Sequence, residues 1–330
     1  MRDHFSGSGI GSAFGAMVQP AGAAPQPGTT SGIIAVANLH ARIGGQAQAS
    51  PLLADLLILR GHVLGRIADH ERAAEVAEQL VRDRPDDAAA FLALARTRAA
   101  FHRFTDALAD LDVAEKLDVA EKQGLHRRVL LAERAGILQA TGHPAQAGEL
   151  YRCAATHPPG FTTLGALAVL HAECGDVALA ERLFTQAQRS YRGTSPFPVA
   201  ALDYRRGLMW SGRGDLTAAR SWFGSSCRRV PAYAPALGRL AGIDAAQGDY
   251  GAAIERLRPL ASASDDPEYA SQLSIVLRVA GHVDEARSWY ARATARYGEL
   301  ALRHPETFAG HAAVATRQGR LNVEQSARGQ

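Results

Sequence analysis

From Ile33 onward, apolar residues fall three or four positions apart, the spacing that puts them on one face of an α-helix. Ile33, Ile34, Ala37 and Ile43 predict a short amphipathic helix that stops at Gly44-Gly45. Beyond Pro51 the pattern repeats. Alanines recur at Ala73, Ala107, Ala147, Ala180, Ala219, Ala253 and Ala286. Twelve residues before each stands a small residue: Gly61, Ala95, Ala135, Ala168, Gly207, Ala241 and Ser274. From the third copy on, a glycine lies five before the alanine, at Gly142, Gly175, Gly214, Gly248 and Gly281. A larger apolar residue lies four after it in six copies, at Leu111, Tyr151, Phe184, Phe223, Leu257 and Tyr290, and Ala77 takes that place in the first.

Such a unit is a pair of helices. The two small residues let their backbones approach, the glycine turns the chain between them, and the larger residue fills the groove to the next pair. One pair cannot bury its own apolar face, so pairs must stack. The predicted fold is all-α, a right-handed solenoid of about seven helix pairs. Residues 300–318 add a capping helix opened by His304-Pro305-Glu306.

Two steps between copies are long. The 40-residue step holds Asp112-Val113-Ala114-Glu115-Lys116-Leu117 followed by Asp118-Val119-Ala120-Glu121-Lys122-Gln123, nearly one hexapeptide written twice. Six residues turn a helix by about 240°, so the second copy must face another way. An extended helix or a solvated loop is expected there. The 39-residue step carries Gly193-Thr194-Ser195-Pro196-Phe197-Pro198, a place to divide the array into two lobes near 193–198. The expected organisation is a flexible Gly/Pro/Ser-rich lead at 1–31, a capping helix and linker at 32–50, the solenoid at 51–318 and a tail at 319–330.

The repeat resembles the tetratricopeptide repeat. Copy five carries the likeness in Gly207, Trp210, Gly214-Asp215, Ala219, Phe223 and Pro231, and copy six in Leu240, Ala241, Gly248-Asp249-Tyr250, Ala253 and Leu257. The first two copies depart from it, with Ala68 and His102 at the turn position. Segments 195–200, 206–210, 265–270 and 303–308 further resemble a group of largely uncharacterised bacterial proteins of this family. The resemblance implies a concave face lined by the first helix of each pair. Its positions map to His62, Arg66, Arg96, Gln139, Glu173, Tyr204, Arg205, Arg239, Gln272 and Arg278. Arginine predominates among the charged members, and residues 196–233 hold six arginines against Asp203 and Asp215. A guanidinium pairs a carboxylate through two hydrogen bonds, so an acidic partner segment suits this face. The Lys/Asn clamp that some relatives use on chaperone C-termini is not matched, because the corresponding places hold Ile58, His62 and Leu92.

Composition narrows the rest. The 330 residues are 47% hydrophobic, 21% charged and only 6% aromatic, and alanine is the commonest type, which favours close-packed helices. A net charge of +3 gives little pull towards nucleic acid or an anionic membrane, and neither is an expected partner. Cys153, Cys174 and Cys227 are odd in number and far apart, which suggests buried thiols in a reducing, cytoplasmic setting. The first residues lack the apolar run of a signal peptide. His171 and Cys174 stand three apart but have no second ligand pair, so core packing is expected and no metal or cofactor. Neither Gly-x-Ser-x-Gly nor His-Glu-x-x-His occurs. Asp86-Asp87 and Asp265-Asp266 read as helix caps rather than an acid–base pair. Arg60, Arg134 and Arg206, at one repeat position, read as structural ion-pairing residues. The expected function is a non-catalytic scaffold that binds a peptide, loop or partner subunit in the concave groove. The alternatives are an accessory protein for assembly or substrate delivery to one enzyme, and an enzyme whose site spans several repeats.

Overall fold

The computed structural model describes residues 29–121, 125–156 and 158–310. Residues 1–28 and 311–330, which hold most of the expected lead, the end of the expected capping helix and the expected tail, lie outside them. Among the described residues, α1 (Thr29–Gly44) precedes seven helix pairs. These are α2 (Pro51–Leu64) with α3 (Ile67–Asp83), α4 (Ala88–Ala100) with α5 (Phe104–Glu121), and α6 (Leu125–Ala140) with α7 (Pro144–Ala154). Next come α8 (Phe161–Glu173) with α9 (Val177–Ser190) and α10 (Phe197–Gly212) with α11 (Leu216–Arg229). The last are α12 (Ala234–Ala246) with α13 (Tyr250–Ala263) and α14 (Pro267–Val279) with α15 (Val283–Arg303). No strand occurs among the described residues.

The repeat positions do what their size requires. All seven alanines are buried, six of them completely. A Cβ on Gly207 would come within 2.5 Å of the Phe223 ring, so the missing side chain is what lets α10 and α11 close on each other. The five turn glycines take φ between +79° and +89°, where a Cβ is strained. In copy two His102 itself adopts φ +57°. In copy one the turn moves upstream: Gly65, at φ +63°, caps α2. Asp87, Asp176, Asp215, Asp249 and Asp266 each accept a backbone N–H at the start of the following helix. The cap reading of Asp87 and Asp266 therefore holds.

The duplicated hexapeptide continues α5 to Glu121. Its two copies face differently: Asp112 is exposed where Asp118 is buried, and Val113 is half-buried where Val119 is 69% exposed.

The chain forms two compact units, 1–236 and 237–330. The lobe division expected near 193–198 is not where they part. A single core of Phe161, Val169, Phe184, Val199, Leu202 and Met209 runs across that link inside unit 1, with Tyr191 packed on it. Tyr191 also donates its hydroxyl to the Ser195 carbonyl at 2.7 Å, pinning the link. Within unit 1, first helices of successive pairs touch, α2 on α4, α4 on α6 and α8 on α10. Outside the repeat pattern, α1 packs on both α2 and α11. Gly32 makes this possible, since a Cβ there would lie 2.1 Å from the Arg229 carbonyl oxygen.

Candidate functional site

The first helices of unit 1 turn polar side chains towards one another, and most of these side chains are already committed. Arg96 on α4 donates from Nε to Glu133 on α6 at 2.8 Å and from Nη1 to Asp55 on α2 at 2.8 and 2.9 Å. One guanidinium thus ties three successive pairs, and all three residues are buried. Burial opposes the charge on Arg96, but the two carboxylates outweigh it and hold the proton more firmly than usual. Burial likewise raises the pKa of Glu133 against the pull of Arg96. Arg96, read from sequence as a partner contact, is an internal brace in this structure.

Further along the same face, Gln139 donates to Glu173 at 2.7 Å and accepts from the Tyr151 hydroxyl at 3.2 Å. His62 on α2 meets Tyr233, beyond α11, with 2.8 Å between Nε2 and the hydroxyl and the two rings edge to face. These residues are 171 positions apart. Together with the contact of α1 on α11, the pair joins the first repeat of unit 1 to the end of the fifth. Burial, then the charges of Arg205 and His70, push the His62 pKa down to about 3, so its ring is neutral at physiological pH. Tyr204 lies against both Phe223 and Tyr233, with ring centroids 5.6 and 5.8 Å away. Arg205 follows it on α10, buried, with its guanidinium carbon 6.0 Å from the Tyr204 ring centroid. The expectation of an open face is corrected for His62, Arg96, Tyr204 and Arg205. Asp55 and Glu133 close over Arg96, and Tyr233 closes over His62 and Tyr204.

Arg66 stands at the N-cap of α3, partly exposed, 3.7 Å from Asp69. The structural reading of Arg60, Arg134 and Arg206 holds. Arg60 makes a two-point pair with Asp69, Arg134 reaches Asp112 at 2.5 Å, and Arg206 pairs with Glu181 while lying over the Trp222 ring at 3.8 Å. Arg229 pairs with Asp203 at 2.7 Å, so part of the arginine excess of residues 196–233 is balanced internally.

In unit 2, Arg239 on α12 is half-buried, and burial lowers its pKa against the opposing charges of Glu268 and Tyr269. Gln272 donates to Glu268 at 2.8 Å, and the Tyr297 hydroxyl donates to the same carboxylate at 2.9 Å. Arg278 is exposed. Beside it, Ile275 and Val279 are 44% and 56% exposed, one helical turn apart on α14. Sequence reasoning passed over this apolar pair, because Leu273, Val276 and Leu277 surround it and hide any amphipathic pattern. It also missed Tyr233, which lies in a turn and has no periodic signature.

The thiols differ from expectation. Cys153 and Cys174 are exposed and Cys227 is half-buried. Cys174 ends α8 at its C-cap, where the side chain points out of the core rather than into it. Among the described residues no group of three or more His, Cys, Asp or Glu side chains is arranged to hold a metal ion. No helix among them is long and apolar enough to cross a membrane.

The family model described as tetratricopeptide repeat matches residues 58–120 and 166–234. Among solved structures, the chain is similar to one in the crystal structure of the APC/C hetero-tetramer Cut9–Hcn1. The identity is 15% over 81% of this chain and 51% of that one, with a TM-score of 0.52. The chain therefore spans about half the length of that relative. PilW, a type IV pilus biogenesis factor, matches at 17% identity over 64% of this chain and 94% of its own, with a TM-score of 0.49. PilF of Pseudomonas aeruginosa matches at 17% over 70% and 99%, with a TM-score of 0.47. Identities this low speak to the fold alone. No curated protein matches the chain.

Proposed function

Because the chain belongs to the tetratricopeptide-repeat family, we propose that it is a non-catalytic protein-interaction scaffold whose partner docks on the first-helix face of unit 2. The observation that carries this reading is the exposed pair Ile275 and Val279 on α14, flanked by Gln272 and Arg278. Apolar side chains left in water beside an arginine are the ingredients of an interface anchor: the aliphatic groups gain by desolvation and the cation selects for charge. The half-buried Arg239 in the same unit favours a partner segment that carries carboxylates. In unit 1 Arg96 and His62 are held by internal bonds and Tyr204 and Arg205 are buried, so these four are not proposed as contacts of a docking protein. Gln139 and Arg66 lie in unit 1 and are not part of this proposed surface.

The test begins with capture of a co-purifying protein from source-cell lysate and its titration against the full chain. The double variant Ile275→Glu/Val279→Glu should weaken binding at least tenfold, and Arg278→Glu should both weaken it and flatten its salt dependence. Helix content by circular dichroism should stay constant, since all three side chains are exposed. Unchanged affinity in the double variant would remove the docking surface from α14.

A further inference from the structure

Unit 1 contains a charge that its own side chains do not answer. Arg205 is buried, and among the described residues no hydrogen bond or ion pair reaches it; its Nη2 is shut off from solvent without a partner. Arg96, buried in the same unit, shows the ordinary solution: two carboxylates in contact. Arginine does not escape burial by losing its proton, and an uncompensated buried charge is strongly destabilising. The groups packed nearest Arg205 are aromatic, and Glu173 acts on its charge without bonding to it. The Tyr204 ring lies 6.0 Å from the guanidinium carbon, Tyr233 packs at a tilt beyond Tyr204, and neutral His62 holds the Tyr233 hydroxyl. Tyr151 and Glu173 complete the groups that act on its charge, and Glu173 is itself exposed and bonded to Gln139.

We propose that Arg205 is the centre of a binding site inside unit 1 for a small free carboxylate with an aromatic or apolar body. A single guanidinium offers a planar, two-point match to one carboxylate. A phosphate dianion would bring a second negative charge towards Glu173 with no second cation to meet it. Tyr204, packed on Tyr233 and Phe223, puts an apolar surface beside the guanidinium. A free molecule is favoured over a protein segment because the His62–Tyr233 bond and the seat of α1 on α11 fasten the first repeat to the end of the fifth. That arrangement suits an enclosed ligand better than an extended chain. The inference does not depend on the docking surface of unit 2.

The experiment is thermal unfolding of the full chain in sodium acetate, benzoate and phenylacetate against sodium chloride at equal ionic strength. Phenylacetamide is the neutral control, and a short peptide ending in phenylalanine is the protein-borne arm. A ligand that binds only the folded state raises the melting temperature in a saturable way. Benzoate or phenylacetate should do so more than acetate, and phenylacetamide should do nothing. Arg205→Met should lose the carboxylate-dependent rise yet melt above the parent in chloride, because the unanswered charge is gone. Arg205→Lys keeps the charge without the fork and should bind at least tenfold more weakly by calorimetric titration, which guards against a misfolded Met variant. The site is refuted if no carboxylate raises the melting temperature beyond chloride, or if Arg205→Met retains the rise. A rise with the peptide alone would overturn the free-molecule assignment.

Discussion

At the scale of single residues, buried charge separates the side chains that brace the molecule from those free to act outside it. Arg96 answers two carboxylates at once, so its loss strands both Asp55 and Glu133 in the interior. Breaking a buried pair by removing one partner costs about 3–5 kcal/mol, and Arg96→Met should fall in that range by urea unfolding. Asp266 gives a pH-dependent counterpart. It caps α14 by accepting the Glu268 N–H at 2.9 Å, and burial pushes its pKa up to about 7, with the charges of Glu268 and Asp265 acting in the same direction. The folded state therefore holds this proton more tightly than the unfolded state. Its contribution is fully present below about pH 4 and is lost as pH rises through 7. Asp266→Asn keeps a capping oxygen without titrating. It should melt above the parent at pH 8, with the difference shrinking by pH 5. A constant difference across that range would assign the effect to the cap alone.

At the scale of elements, each helix pair depends on two small residues meeting. Ala219 is fully buried, and across from it Gly207 leaves room for only the edge of Phe223. Ala219→Leu should overpack that contact and cost about 1–3 kcal/mol by chemical denaturation. A melting temperature equal to the parent's would contradict the repeat alignment. The hexapeptide duplication shows the same geometry from the other side. Repeating the sequence did not repeat the environment, because a six-residue advance carries Asp118 inward and Val119 outward. The helix tolerates the insertion since it lengthens α5 at its end and leaves the Ala107–Leu111 contact in register.

At the scale of the whole molecule, each compact unit has its own arrangement of polar groups. In unit 1 the join between the first repeat and the end of the fifth is a long-range feature held by few atoms. Tyr233→Phe removes the hydroxyl that meets His62 and leaves a half-buried imidazole nitrogen unpaired, at a cost of about 1 kcal/mol. Because the bond links segments 171 residues apart, amide exchange should quicken in α2 and around residue 233 together. Faster exchange confined to the turn would mean that the bond does not hold the repeats together. In unit 2 the exposed apolar pair on α14 has no such counterpart within the described contacts, which is why the proposed docking surface is placed there.

Sequence alone determined the helix pairs, their phase, the glycine turns, the caps at Asp87 and Asp266 and the structural role of Arg60, Arg134 and Arg206. Each depends on spacings of three, four or a dozen residues, over which backbone geometry leaves little choice. Even the exceptions were visible as exceptions, though not their solutions: His102 accepts the left-handed turn, while copy one shifts it to Gly65. Tertiary structure decided the fate of the inner face. Arg96, Arg205 and Arg278 all map to the first helix of a pair, yet one is braced by two carboxylates, one is buried without a partner group, and one is exposed. The repeat pattern specifies which way a side chain points. What it meets there depends on side chains from other repeats, as Arg96 meets Asp55 and Glu133 and His62 meets Tyr233 171 positions away, and the spacing within a single copy does not encode those meetings.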